Sequence, residues 1–227
     1  MPIRLGLSNS SFHDHEKEYW QFEEANLERQ FSEKIKPLFD KDESRHFSVF
    51  AFAPQPLLIK LGSLFSDIYG AEVYQLHREP QNWKWQPEPE NFEYIIEEPR
   101  TVHRTVAINL SLSATVRNNR ISKALGTKDV SFWNLSIDNP NNDFLKSHEQ
   151  IQKFREVFRI LLNKIKARHG ENQVLHIFTA CPVSIAVEIG RVWQPKADLP
   201  LIIYDQNRHL GGFAQTFSIG MKKTGSK

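Results

Sequence analysis

The chain repeats itself. Residues 47–62, FSVFAFAPQPLLIKLG, match residues 175–190, LHIFTACPVSIAVEIG, without a gap, so that Pro54 falls on Pro182 and Gly62 on Gly190, 128 positions apart. Residues 71–75 then meet residues 199–205 with about two residues inserted, and Tyr74 falls on Tyr204. Upstream, residues 3–11, IRLGLSNSS, pair with residues 108–116, INLSLSATV, at an offset of 105. A two-copy repeat of about 110 residues is far longer than a solenoid period and reads as a duplicated domain. The offset grows because the second copy carries an unpaired segment at about residues 117–146, rich in Asn and ending DNPNND. Those turn formers predict an irregular loop.

Within each copy the elements read as strand, helix, strand, helix, strand. Residues 3–8 and 108–113 alternate apolar and polar, the period-two signal of a strand. Residues 149–168 place Ile151, Phe154, Phe158, Leu161, Leu162 and Ile165 on one helical stripe, stopped by Gly170. Residues 22–39 space Leu27, Phe31, Ile35 and Leu38 similarly. Apolar runs at 47–52 and 174–179 predict strands buried on both faces, as in a parallel sheet. Pro54 and Pro182 then open helices that end at Gly62 and Gly190, and residues 199–204 close as another strand. Strands alternating with helices imply parallel β-α-β units, so the fold class is α/β, a tandem of Rossmann-like units covering residues 1–105 and 106–227.

At 227 residues the chain can bury a substantial core, and no run approaches the roughly 20 apolar residues of a membrane-spanning helix. No membrane is expected as a partner. The amino-terminal segment lacks signal-peptide character and the single cysteine, Cys181, has no partner in the chain, which points to a reducing cytoplasm. Up to residue 105 there are 12 basic and 18 acidic residues, and after it 17 and 9. Such a split suits a basic half facing an anionic ligand, or acidic and basic ends that meet between molecules.

No catalytic motif stands. G-x-S-x-G, the phosphate-binding G-x-x-x-x-G-K-S/T, G-x-G-x-x-G and C-x-x-C are all missing. His148-Glu149 begins like a zinc-protease helix, but Gln152 replaces its second histidine, and His13-Asp14-His15 has nothing spaced to complete four-coordination. Cys181 reads as a small packing residue. No metal and no cofactor are expected.

Parallel sheets offer ligands the crevice beyond their strand carboxyl ends, where loops lead into helix N-termini. The loops here contain Ser8, Asn9, Ser10, Ser11, Gln55 and Gln75 in the first copy. In the second they contain Ser113, Thr115, Thr179, Ser184, Tyr204, Asp205 and Arg208. Hydroxyls, amides and an Arg suit phosphates and base edges, although Ser, Asn and Asp also cap helices in any α/β protein. Trp83 and Trp85 lie on one side of an extended segment, where they could stack on bases or cover a sheet edge.

The paired pattern, an apolar strand, Ala-Pro or Cys-Pro, an apolar helix with Gly and a strand ending in Tyr, resembles the SAVED domain of bacterial antiphage systems. Residues 47–62 with Val73, Tyr74, Gln75, Trp83 and Trp85, and residues 176–190 with Ile203 and Tyr204, carry the resemblance. It implies two fused CARF-like units that bind a cyclic tri- or tetranucleotide containing adenine, and that assemble head to tail to activate an effector. SAVED domains are typically fused to that effector, so a chain without one implies a sensor acting through a partner chain or an excised domain. Two rival functions remain open. One is a ring nuclease using His77, His209 and Asp205, and the other is an interaction scaffold indifferent to Ser8→Arg and Ser113→Arg.

Overall fold

A computed structural model describes residues 2–8, 11–40, 46–66 and 69–221. The first copy supplies α1 (Lys17–Lys34), α2 (Lys36–Asp40), β1 (Phe47–Phe50), α3 (Gln55–Phe65) and β2 (Ala71–Tyr74). After β3 (Ile95–Glu97) come β4 (Thr105–Ser111), α4 (Asn118–Leu125), β5 (Val130–Ser136), α5 (His148–His169) and β6 (Leu175–Ala180). The chain closes with α6 (Val183–Val192), β7 (Leu201–Asn207) and β8 (Gly212–Ile219). Strands β1 and β2 form a parallel pair, and the others form one sheet in the order β3-β5-β4-β6-β7-β8, antiparallel only at its two edge pairings. The fold is thus the expected α/β class, with β1-α3-β2 and β6-α6-β7 as its matched units.

A bare helix crossing joins those units. Gly62 of α3 lies so close to α6 that a Cβ there would stand 1.9 Å from the Val187 carbonyl oxygen, and a Cβ on Gly190 would stand 1.9 Å from that of Ile59. Val187 repeats Ile59 as Gly190 repeats Gly62, so the contact is a local two-fold. The glycines were expected to end their helices, but α3 continues to Phe65 and α6 to Val192. Their role is to let two backbones touch. Around them Leu57, Leu58, Leu61, Ile185, Ala186 and Ile189 are buried in one core.

Lys60 and Glu188, also repeat partners, occupy matching places with opposite charge. Lys60 Nζ lies 2.9 Å from Glu24 and also pairs with Glu28, both on α1. Glu188 takes Arg191 at 2.8 Å and Arg155 of α5 at 3.5 Å. Burial opposes the Lys60 charge, but the two carboxylates outweigh it and hold its pKa above the usual lysine value. Burial dominates at Glu188 and raises its carboxyl despite both arginines. Each long helix therefore recognises the short helix of its own copy, because an exchange would bury like charges together. Part of the charge split between the halves is used inside the fold.

The six-stranded sheet carries α6 and α5 on one face and α4 on the other, where Val116, Ile121, Val130, Phe178, Tyr204 and Phe213 form a second core. At the start of α5, Ser147 and Gln150 make a reciprocal capping box that fixes where the helix begins.

Several expectations need correction. Residues 3–8 are not a strand, because α1 side chains occupy their backbone: Gln30 Nε2 and Asn26 Nδ2 donate to the Gly6 carbonyl at 2.7 and 3.1 Å. The segment at 117–146 is no simple loop, since it forms α4 and β5, with turns confined to its Asn-rich end. The helix expected over residues 22–39 breaks at Ile35, just before Pro37, whose ring nitrogen has no hydrogen to donate. Strand β1 is not buried on both faces, and residues 204–207 do not form a strand-to-helix loop but continue β7 into a hairpin with β8.

The crossing gives a sharp expectation. Gly62→Ala and Gly190→Ala should each cost about 3 kcal/mol, because backbone atoms cannot yield as a side chain would. Gly212→Ala, with nothing within 4 Å of an added Cβ, should stay within about 0.5 kcal/mol in the same urea titrations.

Candidate functional site: the crevice between the copies

The loop from β6 into α6, residues 180–184, is where the copies meet. The N–H groups of Leu112 and Ser113 donate to the Ala180 carbonyl at 3.0 and 2.7 Å. From the first copy, Gln55 Nε2 donates to the Cys181 carbonyl at 2.8 Å, and Gln75 Oε1 accepts the Ser184 hydroxyl at 2.7 Å. The structure thus brings together Gln55, Gln75, Ser113 and Ser184, two from each copy. Thr179 is buried at the end of β6, and Thr115 is exposed in the turn that the Ser111 hydroxyl holds through the Val116 N–H at 3.0 Å. Burial pushes the Cys181 thiol far up, consistent with a packing residue.

An aromatic ladder extends from this crevice along the carboxyl ends of β1 and β2. Phe50 stacks on Tyr74 at 4.7 Å, Trp83 stands edge-on to Phe50 at 5.1 Å, and Trp85 lies 6.0 Å from Tyr74. Phe50 is 55% exposed and Phe52 84%. Reading residues 47–52 as a uniformly buried run leaves both out of the candidate site. Their alternation with buried Val49 and Ala51 was the available signal.

Next to the ladder, His77 is only 1% exposed and packs against Trp85 at 5.8 Å. Burial, with Lys146 nearby, lowers its pKa. Beside it, Trp85 Nε1 and Gln86 Nε2 are buried without a hydrogen-bond partner among the described residues. Unpaired buried polar groups are uncommon in folded proteins, and these two are neighbours in the segment that follows β2.

A model of the SAVED family, described as the SMODS-associated and fused to various effectors sensor domain, matches residues 27–219. The chain belongs to the SAVED family. Among solved structures, the SAVED chain is similar to the Acinetobacter baumannii Cap4 SAVED/CARF-domain containing receptor with the cyclic trinucleotide 3'3'3'-cAAA. The TM-score is 0.65 at 15% identity, over 97% of this chain and 52% of that one. The same receptor with 2'3'3'-cAAA gives 0.62 at 14% over 91% and 44%. The Moraxella osloensis Cap4 receptor gives 0.55 at 13% over 91% and 43%. These likenesses establish the fold. The SAVED chain spans about half the length of those receptors. No curated protein sequence matches it.

The other described residues among those expected at the site of this SAVED chain have different surroundings. Ser8 is held by Glu23 through its N–H and hydroxyl, Ser11 is exposed, and Asn9 and Ser10 lie outside the described residues. Tyr204 stacks on Phe178 at 4.3 Å in the α4-side core, its hydroxyl 3.0 Å from His176 Nδ1. Arg208 is exposed at the β7–β8 turn. Close to that hairpin His15 lies 5.5 Å from His13 and 4.9 Å from His209, and among the described residues no three His, Cys, Asp or Glu groups are placed to hold a metal ion. Among the described residues no helix is long and apolar enough to cross a membrane.

Asp205, on β7, is pushed by burial up to about 6 from 3.8, with a backbone hydrogen bond at Gln206 opposing the rise and Asp14 adding to it. The folded chain therefore holds a proton that the unfolded chain releases between these values. Its stabilising contribution is complete below about pH 4 and is lost as pH rises through about 6. Asp205→Asn should unfold later than the parent chain at pH 7.5, by about 2 kcal/mol in urea titrations, and the gap should close at pH 4.

Proposed function

We propose that this SAVED chain is a sensor that binds a cyclic oligonucleotide between two CARF-like units, residues 1–105 and 106–227, and passes the binding to an effector domain or chain. The observation carrying this reading is the convergence of Gln55 and Gln75 with Ser113 and Ser184 around one loop, beside the exposed Phe50. Small hydroxyls and the N-terminus of α6 suit phosphates, amide side chains suit base edges, and an exposed ring suits stacking. Contributions from both copies favour a ligand that itself repeats. The similarity to receptors solved with 2'3'3'-cAAA and 3'3'3'-cAAA supports an adenine-containing cyclic trinucleotide. Binding would then shift an assembly equilibrium toward a head-to-tail oligomer.

The ring-nuclease reading gains no support. His77 packs against Trp85, while Asp205 and His209 sit near Asp14 and His15, so the three share no neighbour. Calorimetry with 3'3'3'-cAAA and 2'3'3'-cAAA tests the proposal. At least one should bind and be recovered intact, with a rise in mass by light scattering. Phe50→Ala and Trp83→Ala should each weaken binding about ten- to hundredfold, the scale of one base–aromatic stack. Absence of binding to either nucleotide, or full affinity in both variants, would contradict it.

A further inference from the structure

Residues 3–7 alternate like a strand, yet they lie across a cavity of about 620 Å³ from β1. Ile3, Leu5 and Leu7 line it together with Val49, Ala51 and Leu58. Among the described residues strand β1 takes a strand on one side only, β2, whereas its repeat partner β6 lies between β4 and β7. The missing neighbour of β1 is the repeat partner of β4, which is this segment.

What holds the segment away is specific to the first copy. Gln30 bonds both the N–H and the carbonyl of Gly6, Asn26 bonds that carbonyl, and Lys34 Nζ donates to the Arg4 carbonyl at 2.9 Å. Aligning the apolar stripes of the long helices, Leu27 with Phe154 and Phe31 with Phe158, sets Gln30 on Val157 and Lys34 on Leu161 of α5. Those apolar side chains can hold no backbone, and Lys153, in the place of Asn26, reaches the Phe92 carbonyl instead, so β4 is left to pair with β6. In the first copy polar side chains compete with the ladder for the same backbone groups.

We infer that residues 2–7 are a displaced strand that docks on the free edge of β1. Docking closes the cavity and carries Ser8 to the carboxyl end of β1, next to Phe50 and Gln55. The internal repeat sets the register. Strand β4 pairs Ile108 with Ile177 and Leu110 with Thr179, which translates to Ile3 with Val49 and Leu5 with Ala51. Docking buries Ile3 and Leu7, now 40% and 52% exposed. The use of this movement, to complete the first copy's half of the crevice around bound nucleotide, rests on the function proposed above.

Cysteine cross-linking tests both parts. Paired parallel strands bring Cα atoms within disulfide range, so the full chain carrying Ile3→Cys and Val49→Cys should oxidise with glutathione disulfide at least tenfold faster than one carrying Ile3→Cys and Ala51→Cys. Adding Asn26→Ala and Gln30→Ala should accelerate the in-register pair further. Equal rates at the two pairs, or no response to releasing α1, would overturn docking whether or not nucleotide binds. With 3'3'3'-cAAA present, faster in-register closure supports the coupling. Binding seen by calorimetry with an unchanged rate overturns the coupling alone. In-register closure with no binding upholds docking and counts against the nucleotide reading.

Discussion

Everything in this fold hangs on two helices that touch without side chains. Where α3 crosses α6, Gly62 and Gly190 admit the opposing backbone, with the carbonyls of Val187 and Ile59 in the places that methyl groups would take. Because the contact is the same from either side, it fixes the two β-α-β units about a local two-fold. That relation brings Gln55 and Gln75 of one unit against residues 181–184 of the other. A bulkier crossing would push the units apart, and Gln55 and Gln75 would lose their hold on residues 180–184.

The charges on the flanking helices enforce the same arrangement. Lys60 against the α1 carboxylates, and Glu188 against Arg155 and Arg191, are one position written with opposite signs. Buried ion pairs of this kind contribute little net stability, but a mismatch leaves a charge buried and unpaired. They select which long helix covers which short one, and so keep the halves distinct although their cores are alike. The asymmetry extends to the crevice, where the first copy brings amides and exposed rings and the second brings hydroxyls and a helix N-terminus.

The repeat was legible because strand, turn and helix follow each other with fixed spacing, so that Pro54 with Pro182 and Gly62 with Gly190 stood out from single residues of no special meaning. What the residues could not reveal were competitions between partners. The alternation of Ile3, Leu5 and Leu7 reads as a strand, but Gln30 and Asn26 hold its backbone. Asp205, Gln206 and Asn207 look like a turn, yet pairing with β8 overrides that local preference. The Asn-rich segment concealed α4 and β5, although Ile121 and Val130 anchor them in the second core. Of the candidate site, Gln55, Gln75, Ser113, Ser184 and Trp83 were legible as loop residues, while Phe50 and Phe52 were hidden by their apolar neighbours.

The claim at the centre of this account is that one ligand is held by both copies at their junction. A crystal structure of the chain with 3'3'3'-cAAA measures that directly. The account predicts phosphates within hydrogen-bond reach of Ser113 or residues 180–184, base edges near Gln55 or Gln75, and an adenine against Phe50 or Trp83. A nucleotide held by one copy alone, or lying on the α4 face beside Tyr204, would contradict it.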